Sequence, residues 1–253
     1  MDHQFNNSSM VSFRPNEREN LKPMGKIHIA DRGKGWLCVE KPAGISVHNE
    51  PGNDIVSILD AQFSQKQNLV QPVHRLDKET SGLLLLATEK EVLTRLSAMF
   101  AQGGVKKKYL ALVHGTFDPE NETTSLWDTP LSKEAGGRNN PAGKGKKVAA
   151  MTRYTLLEHS PHYALLEIEL LTGRKHQIRR HAKLAGHPVT GDSRYGSPRS
   201  IQFLKEKCNY HRLGLHAFQL SFQDESSKVS ITSDQVPLEM NDLLKQDRVK
   251  QGQ

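Results

Sequence analysis

Residues Val73 to Glu91 read VHRLDKETSGLLLLATEKE. The second half is structural. Leu83 to Ala87 is an unbroken apolar run that opens after Gly82, which predicts a buried strand. Thr88, with Glu91 three residues on, fits the capping box of a helix start. Behind it Val92, Leu93, Leu96, Met99 and Phe100 fall on one helical face, and Gly103 suits a left-handed cap. The first half is polar and packs His, Arg and Asp side by side. His74 to Asp77 therefore lie in a loop that feeds a core strand. Loops fixed by a rigid scaffold are a common place for reactive groups.

Working outward, Ile27–Ile29 and Trp36–Val39 read as short strands around a turn at Asp31–Gly35, and Lys41–Gly44 forms another turn. Ile55 to Phe63 has helical spacing. Downstream, strands are predicted at Lys108–His114, Met151–Glu158, Tyr163–Leu171 and Gly214–Phe222. Thr172 is positioned to N-cap a helix running to about Ala185, with Gly186 and Pro188 as stop signals. Residues Ser132 to Lys147, rich in Gly, Asn and Lys, carry no periodicity. They suit a solvated connector and an RNA contact equally well. Strands outnumber helices and most are hairpin-joined, so the fold class is α+β with a mainly antiparallel sheet. The expected organisation is a polar, disordered tail at 1–24, one catalytic domain at 25–240 and a polar tail at 241–253.

Composition narrows the function. The 253 residues carry a net charge of +7, with basic clusters at Lys106–Lys108, Arg138–Lys147, Arg174-Lys175 and Arg179-Arg180. That sign and clustering fit a polyanionic partner. No stretch approaches the roughly 20 apolar residues of a membrane span, and the N-terminus has no apolar export segment, so a cytoplasmic location is expected. Two distant cysteines, Cys38 and Cys208, support neither a disulfide framework nor a zinc ribbon. A chain with no visible heptad is expected to be a monomer.

Local rules break at Gly173-Arg174-Lys175-His176-Gln177-Ile178-Arg179-Arg180. Cations at a helix start oppose the helix dipole, and such violations gather at functional sites. An anion is expected there, with Arg174 and Arg179 flanking Gln177. His176 and His181 are spaced i, i+5, so no metal is expected, and no phosphate-cradling glycine motif occurs. Asp77 is the better reactive group. A carboxylate acts as nucleophile or base without a cofactor, given a cation such as Arg179 to keep it ionised. A loop-capping carboxylate is the competing reading.

These residues carry a family likeness. His74-Arg75-Leu76-Asp77, continued by Thr80-Ser81-Gly82-Leu83, resembles the signature HRLDxxTSGL of the RluA-type pseudouridine synthases. Glu40 to Gly44 resembles the family's NKPaG turn, with Glu40 where Asn is usual. Lys107 to Val113 resembles its KxYxAlv strand, and Thr172 to Arg179 its TGRxHQIR segment. Gly186-His187-Pro188, Gly191-Asp192, Tyr195-Gly196 and Leu215-His216-Ala217 follow in the family's order. The likeness spans roughly Lys26 to Pro237. Residues 1–24 are too short for the S4-type domain that begins many members, so a compact member is expected.

The resemblance implies a mixed, mainly antiparallel sheet flanked by helices, with an RNA cleft across it. It implies isomerisation of uridine in rRNA, tRNA or both, without cofactor, metal or membrane. Asp77 becomes the catalytic aspartate, Tyr109 the aromatic that stacks on uracil, and Arg179 the cation that aims Asp77. Arg75 would fill the space of a flipped-out base. His74, Arg174, Lys107, Lys108 and Gln177 complete the implied RNA-contacting set, although the setting of His74 suits a structural hydrogen-bonder. A non-catalytic RNA-binding or ribosome-assembly factor on the same fold is the alternative.

Overall fold

Leu83, Leu84, Leu85 and Leu86 are all fully buried, yet they face two different layers. Side chains alternate along a strand, so Leu84 and Leu86 join one core and Leu83 and Leu85 another. A strand covered on both faces reads as a continuous apolar run, and truncating any of these leucines to Ala costs about 2–5 kcal/mol.

The structure is a computed structural model that describes residues 26–63, 70–118, 120, 123–225 and 227–249. The tail expected at 1–24 lies outside the described residues. In chain order the elements are β1 (Ile29–Gly33), β2 (Trp36–Lys41), α1 (Ile55–Gln62), β3 (Gln71–Pro72), β4 (Ser81–Ala87), α2 (Lys90–Ala101) and β5 (Lys106–His114). Then come β6 (Thr124–Trp127), β7 (Leu131–Ser132), β8 (Lys147–Val148), β9 (Thr152–His159), β10 (Tyr163–Leu170) and α3 (Gln177–Leu184). The last are α4 (Pro198–Cys208), β11 (Leu215–Asp224), β12 (Ser227–Thr232) and α5 (Leu238–Val249).

A ten-stranded sheet runs in the order β1-β2-β4-β11-β5-β10-β9-β6, with β12 beside β11 and β3 beside β4. Every pairing is antiparallel except β4 with β11, a parallel contact of two residue pairs, Ser81 with His216 and Ala217 with Gly82. Gly82 has φ +105, and a Cβ there would collide with the Ala217 backbone, so only glycine lets the strands approach this closely. One sheet face packs on Ile55 and Leu59 of α1 and on Ile178 and Ala182 of α3. The other meets α2 through Val92 and Leu96, and further along it meets α4 and α5 through Leu204, Met240, Leu243 and Leu244.

Several sequence expectations change. The helix after β4 starts at Lys90 with Glu89 at its cap position, and no side chain caps it. Thr88 lies one residue before the cap, with its N–H donating to the Gly35 carbonyl at 2.8 Å. Helix α3 starts at Gln177 rather than just after Thr172, because His176 turns left-handed (φ 53). The Thr172 hydroxyl donates to Gln177 Oε1 and accepts from the Met151 N–H instead. The polar tail expected from 241 is, as far as residue 249, the body of α5, which buries Leu243, Leu244 and Asp247. Asp247 anchors it by accepting from the Ser160 hydroxyl and the His162 N–H.

Candidate active site

Asp77 lies in the loop entering β4, and two turns hold that loop. The Thr80 N–H donates to the Asp77 carbonyl at 3.0 Å. The buried Lys41 ammonium donates to the carbonyls of Pro42, Ile45 and Lys78, which uses all three of its donors. Gly44 adds its N–H to the Lys78 carbonyl. Burial pushes the Lys41 pKa down to about 8, with Glu79 and Asp77 pulling the other way. Lys41 therefore ties the Lys41–Gly44 turn to the Asp77 loop, a role that sequence reading left unassigned.

The Asp77 carboxylate is partly exposed and meets Arg179, whose Nη1 donates to Oδ2 at 3.0 Å. Arg179 is itself buried and gripped from behind. Its Nε and Nη2 donate to the two oxygens of Asp192 at 2.8 and 2.9 Å, a bidentate pair. Asp192 also accepts the backbone N–H groups of Arg194 and Tyr195. Burial alone would lower the Arg179 pKa, but hydrogen bonds to Asp192 and the charges of Asp192 and Asp77 raise it. The guanidinium is thus fixed by one carboxylate and offers one edge to the other. Asp192 stands in a motif seen in sequence, but its role could not be assigned until Arg179 was seen in space.

On the other side of Asp77, His176 Nε2 lies 3.6 Å from Oδ1, beyond hydrogen-bond reach. Its Nδ1 pairs with the Tyr195 hydroxyl at 3.0 Å. Burial lowers the His176 pKa, Asp77 opposes this, and Arg179 reinforces it. This histidine, which sequence reading considered only as a metal ligand, is a near neighbour of the reactive carboxylate.

Tyr109 enters from β5, packs with the core and lines a cavity of about 530 Å³. Burial, and then the charge of Asp77, raise its pKa, so the phenol stays protonated. The same cavity is lined by Asp77, Arg179, Arg75, His74, Lys107, Arg174 and Gln177. That size accommodates a single nucleotide. Arg75 is exposed at its rim, and its guanidinium has no ion pair among the described residues. Lys107 holds its ammonium 5.6 Å from the centre of the Phe100 ring.

Three residues of the expected RNA-contacting set have partners within the protein. Lys108 points away from the cavity, as alternation on β5 requires, and pairs with Glu167 at 2.8 Å. Gln177 is buried with its amide saturated. Oε1 accepts from Thr172 and Arg174, and Nε2 donates to Met151 and Thr152. His74 accepts the Leu85 N–H at 3.0 Å and stacks on Phe100, and burial followed by Lys107 pushes its pKa down to about 3. Gln177 and His74 shape the cavity wall from inside the fold.

Residues 35–184 match the family model described as RNA pseudouridylate synthase. The chain is 32% identical to ribosomal large subunit pseudouridine synthase C of Buchnera aphidicola, over 78% of this chain and 62% of that one. It is 32% identical to tRNA pseudouridine synthase C of Haemophilus ducreyi, over 82% of this chain and 89% of that one. A ribosomal large subunit pseudouridine synthase C of Vibrio parahaemolyticus is 35% identical over 76% of this chain and 59% of its own. The chain thus spans about three-fifths of the length of these two ribosomal relatives. Two human structures share the fold. RNA pseudouridylate synthase domain containing 4 has a TM-score of 0.69 at 25% identity, covering 86% of this chain and 93% of that one. Domain containing 1 has a TM-score of 0.70 at 24% identity, covering 87% and 89%.

Proposed function

The chain belongs to the RNA pseudouridylate synthase family, and we propose on that premise that it isomerises uridine to pseudouridine in rRNA or tRNA. The reaction breaks the N-glycosidic bond, turns the uracil and rejoins it to the sugar through carbon. The proton leaves the base carbon that becomes bonded, and the freed ring nitrogen gains one. Atoms balance without a cofactor, an oxidant or a metal.

The observation that carries this reading is the Asp77 carboxylate, held 3.0 Å from the Arg179 Nη1 on the wall of a nucleotide-sized cavity shared with Tyr109. One oxygen of Asp77 meets the guanidinium, and the other is left to act on the nucleotide. Direct attack on the sugar and removal of a proton after bond cleavage both use a carboxylate aimed in this way. Tyr109 supplies a flat face for uracil and, being protonated, a hydroxyl that donates. The target nucleotide must leave its stack to reach this depth. Arg75 at the rim is the planar cation suited to fill the gap it leaves.

The test is Asp77→Asn. Pseudouridine formation on unmodified tRNA and rRNA transcripts should fall by more than about a thousandfold. Folding and RNA affinity should stay close to wild type. Wild-type turnover in that variant would sink the reading, and release of free uracil by the wild type would point to a glycosidase instead.

A further inference from the structure

The segment from Leu131 to Ala150 is anchored by Arg180, whose side chain is fully buried. Its Nε donates to the Pro141 carbonyl at 2.6 Å. Nη1 donates to the Ser132 and Lys175 carbonyls at 3.1 and 3.2 Å, and Nη2 to the Ala142 carbonyl at 2.7 Å and the Ser132 hydroxyl at 3.4 Å. All five donors are used, and every acceptor is neutral. A second arginine, Arg194, holds the Ala135 and Gly136 carbonyls, while Arg138 reaches back to the Gly196 and Ser193 carbonyls. Gly143 has φ +77, and a Cβ there would collide with Ser132 and Glu134. The segment is therefore a built loop with one defined shape, in place of the flexible connector its composition suggests.

Its charge is the anomaly. The loop carries Lys133, Arg138, Lys144, Lys146 and Lys147 against the single acid Glu134, and it is anchored by two further cations. A buried guanidinium normally sits opposite a carboxylate; the acceptors of Arg180 are four carbonyls and one hydroxyl. Lys133, Lys144, Lys146 and Lys147 are exposed and form no ion pair among the described residues. Beside them Val148, Met151 and Leu171 leave more than a third of their surface in solvent. Two arginines that line the cavities beside Asp77 also hold the loop, at Ala149 and at Ala135-Gly136. Arg174 in the cavity wall donates to the Ala149 carbonyl, and Arg194 lines the far side of Asp77.

We propose that the Leu131–Ala150 loop is a preformed docking platform for the RNA that flanks the target uridine, with Lys144, Lys146 and Lys147 on its phosphates and the apolar strip against its sugars or bases. The proposal rests on the RNA-modifying reading and adds a second contact surface to it. A cationic loop already held in one shape loses little further conformational entropy when a polyanion lands, and it gains the missing counter-charge.

The experiment measures the affinity of the full chain for unmodified tRNA and large-subunit rRNA transcripts across a salt series, with Lys144→Ala, Lys146→Ala and Lys147→Ala combined. Pseudouridine formation is followed in parallel. The slope of log affinity on log salt should become shallower by about 2 to 3, and binding at moderate salt should weaken tenfold or more. The rate at saturating RNA should hold. An unchanged slope in the variant overturns the platform, whether or not the wild type forms pseudouridine. A reduced slope with no pseudouridine from the wild type supports the surface and refutes the isomerase. Equal weakening toward polyglutamate would assign the surface to acidic proteins and overturn the RNA reading.

Discussion

Two irregular segments are each held by one of two adjacent arginines on α3. Arg179 holds the Asp77 loop through carboxylates, and Arg180 holds the Leu131–Ala150 loop through carbonyls. Neighbouring residues on a helix point about 100° apart, so a single turn serves both. The chemical difference matters. A carboxylate partner pairs charge as well as fixing position, so Asp77 is aimed by an opposite charge. A carbonyl partner fixes position only, so the second loop keeps its positive charge for something outside the protein.

Removing Arg179 should do the most damage. Arg179→Met strands Asp192, which is fully buried, and loss of one partner from a buried ion pair costs about 3–5 kcal/mol. The melting temperature should drop steeply and turnover should vanish; a stable, active variant would break the distinction between the two anchors. Arg180→Met should cost about 1–3 kcal/mol, because the carbonyls it releases can turn to water as the loop opens. Limited proteolysis should then cut between Gly136 and Lys147 much faster, while turnover at saturating RNA persists. Loss of turnover equal to that of Arg179→Met would show the two loops to be one unit.

Acid should separate the loops more gently. His74, at the root of the Asp77 loop, is held neutral by burial, with a pKa of about 3. An unfolded histidine binds its proton below about 6.5. The stability it contributes is therefore complete above about 6.5 and declines as pH falls toward 3. His216 and His114, each pushed down to about 4 by burial, act in the same direction. His74→Gln should flatten the fall of melting temperature between pH 6.5 and 4 by about one proton of linkage. An identical slope in the variant would mean that His74 is already solvated.

The two loops also differed in how well they could be read. His74–Asp77 was legible because a polar cluster stood against an unbroken apolar strand, and because its motif is local. The shape of the Leu131–Ala150 loop was hidden, because its anchors are backbone carbonyls and carbonyls leave no mark on a sequence. Arg180 looked like one more cation in a basic run. The left-handed turn at His176 moved the helix start that Thr172 had suggested, since a dipeptide pattern does not reveal a positive φ. Helix α5 was read as tail because Met240, Leu243 and Leu244 are its only fully covered apolar residues in a polar stretch. The pairing of Arg179 with Asp77 had been expected on charge. Its dependence on Asp192 required the fold.

The short parallel seam between β4 and β11 has a consequence in time. Asp77 leads into β4 and Tyr109 lies on β5, yet these strands are separated in the sheet by β11, which begins at Leu215. A ribosome adding roughly 5–20 residues each second takes about 5 to 20 s to travel from Tyr109 to Leu215. Throughout that interval the two strands exist but cannot take their places on either side of β11. The nascent chain therefore emerges without a working cleft, and RNA at the exit of the ribosome meets a competent site only after the strand that joins the halves has been made.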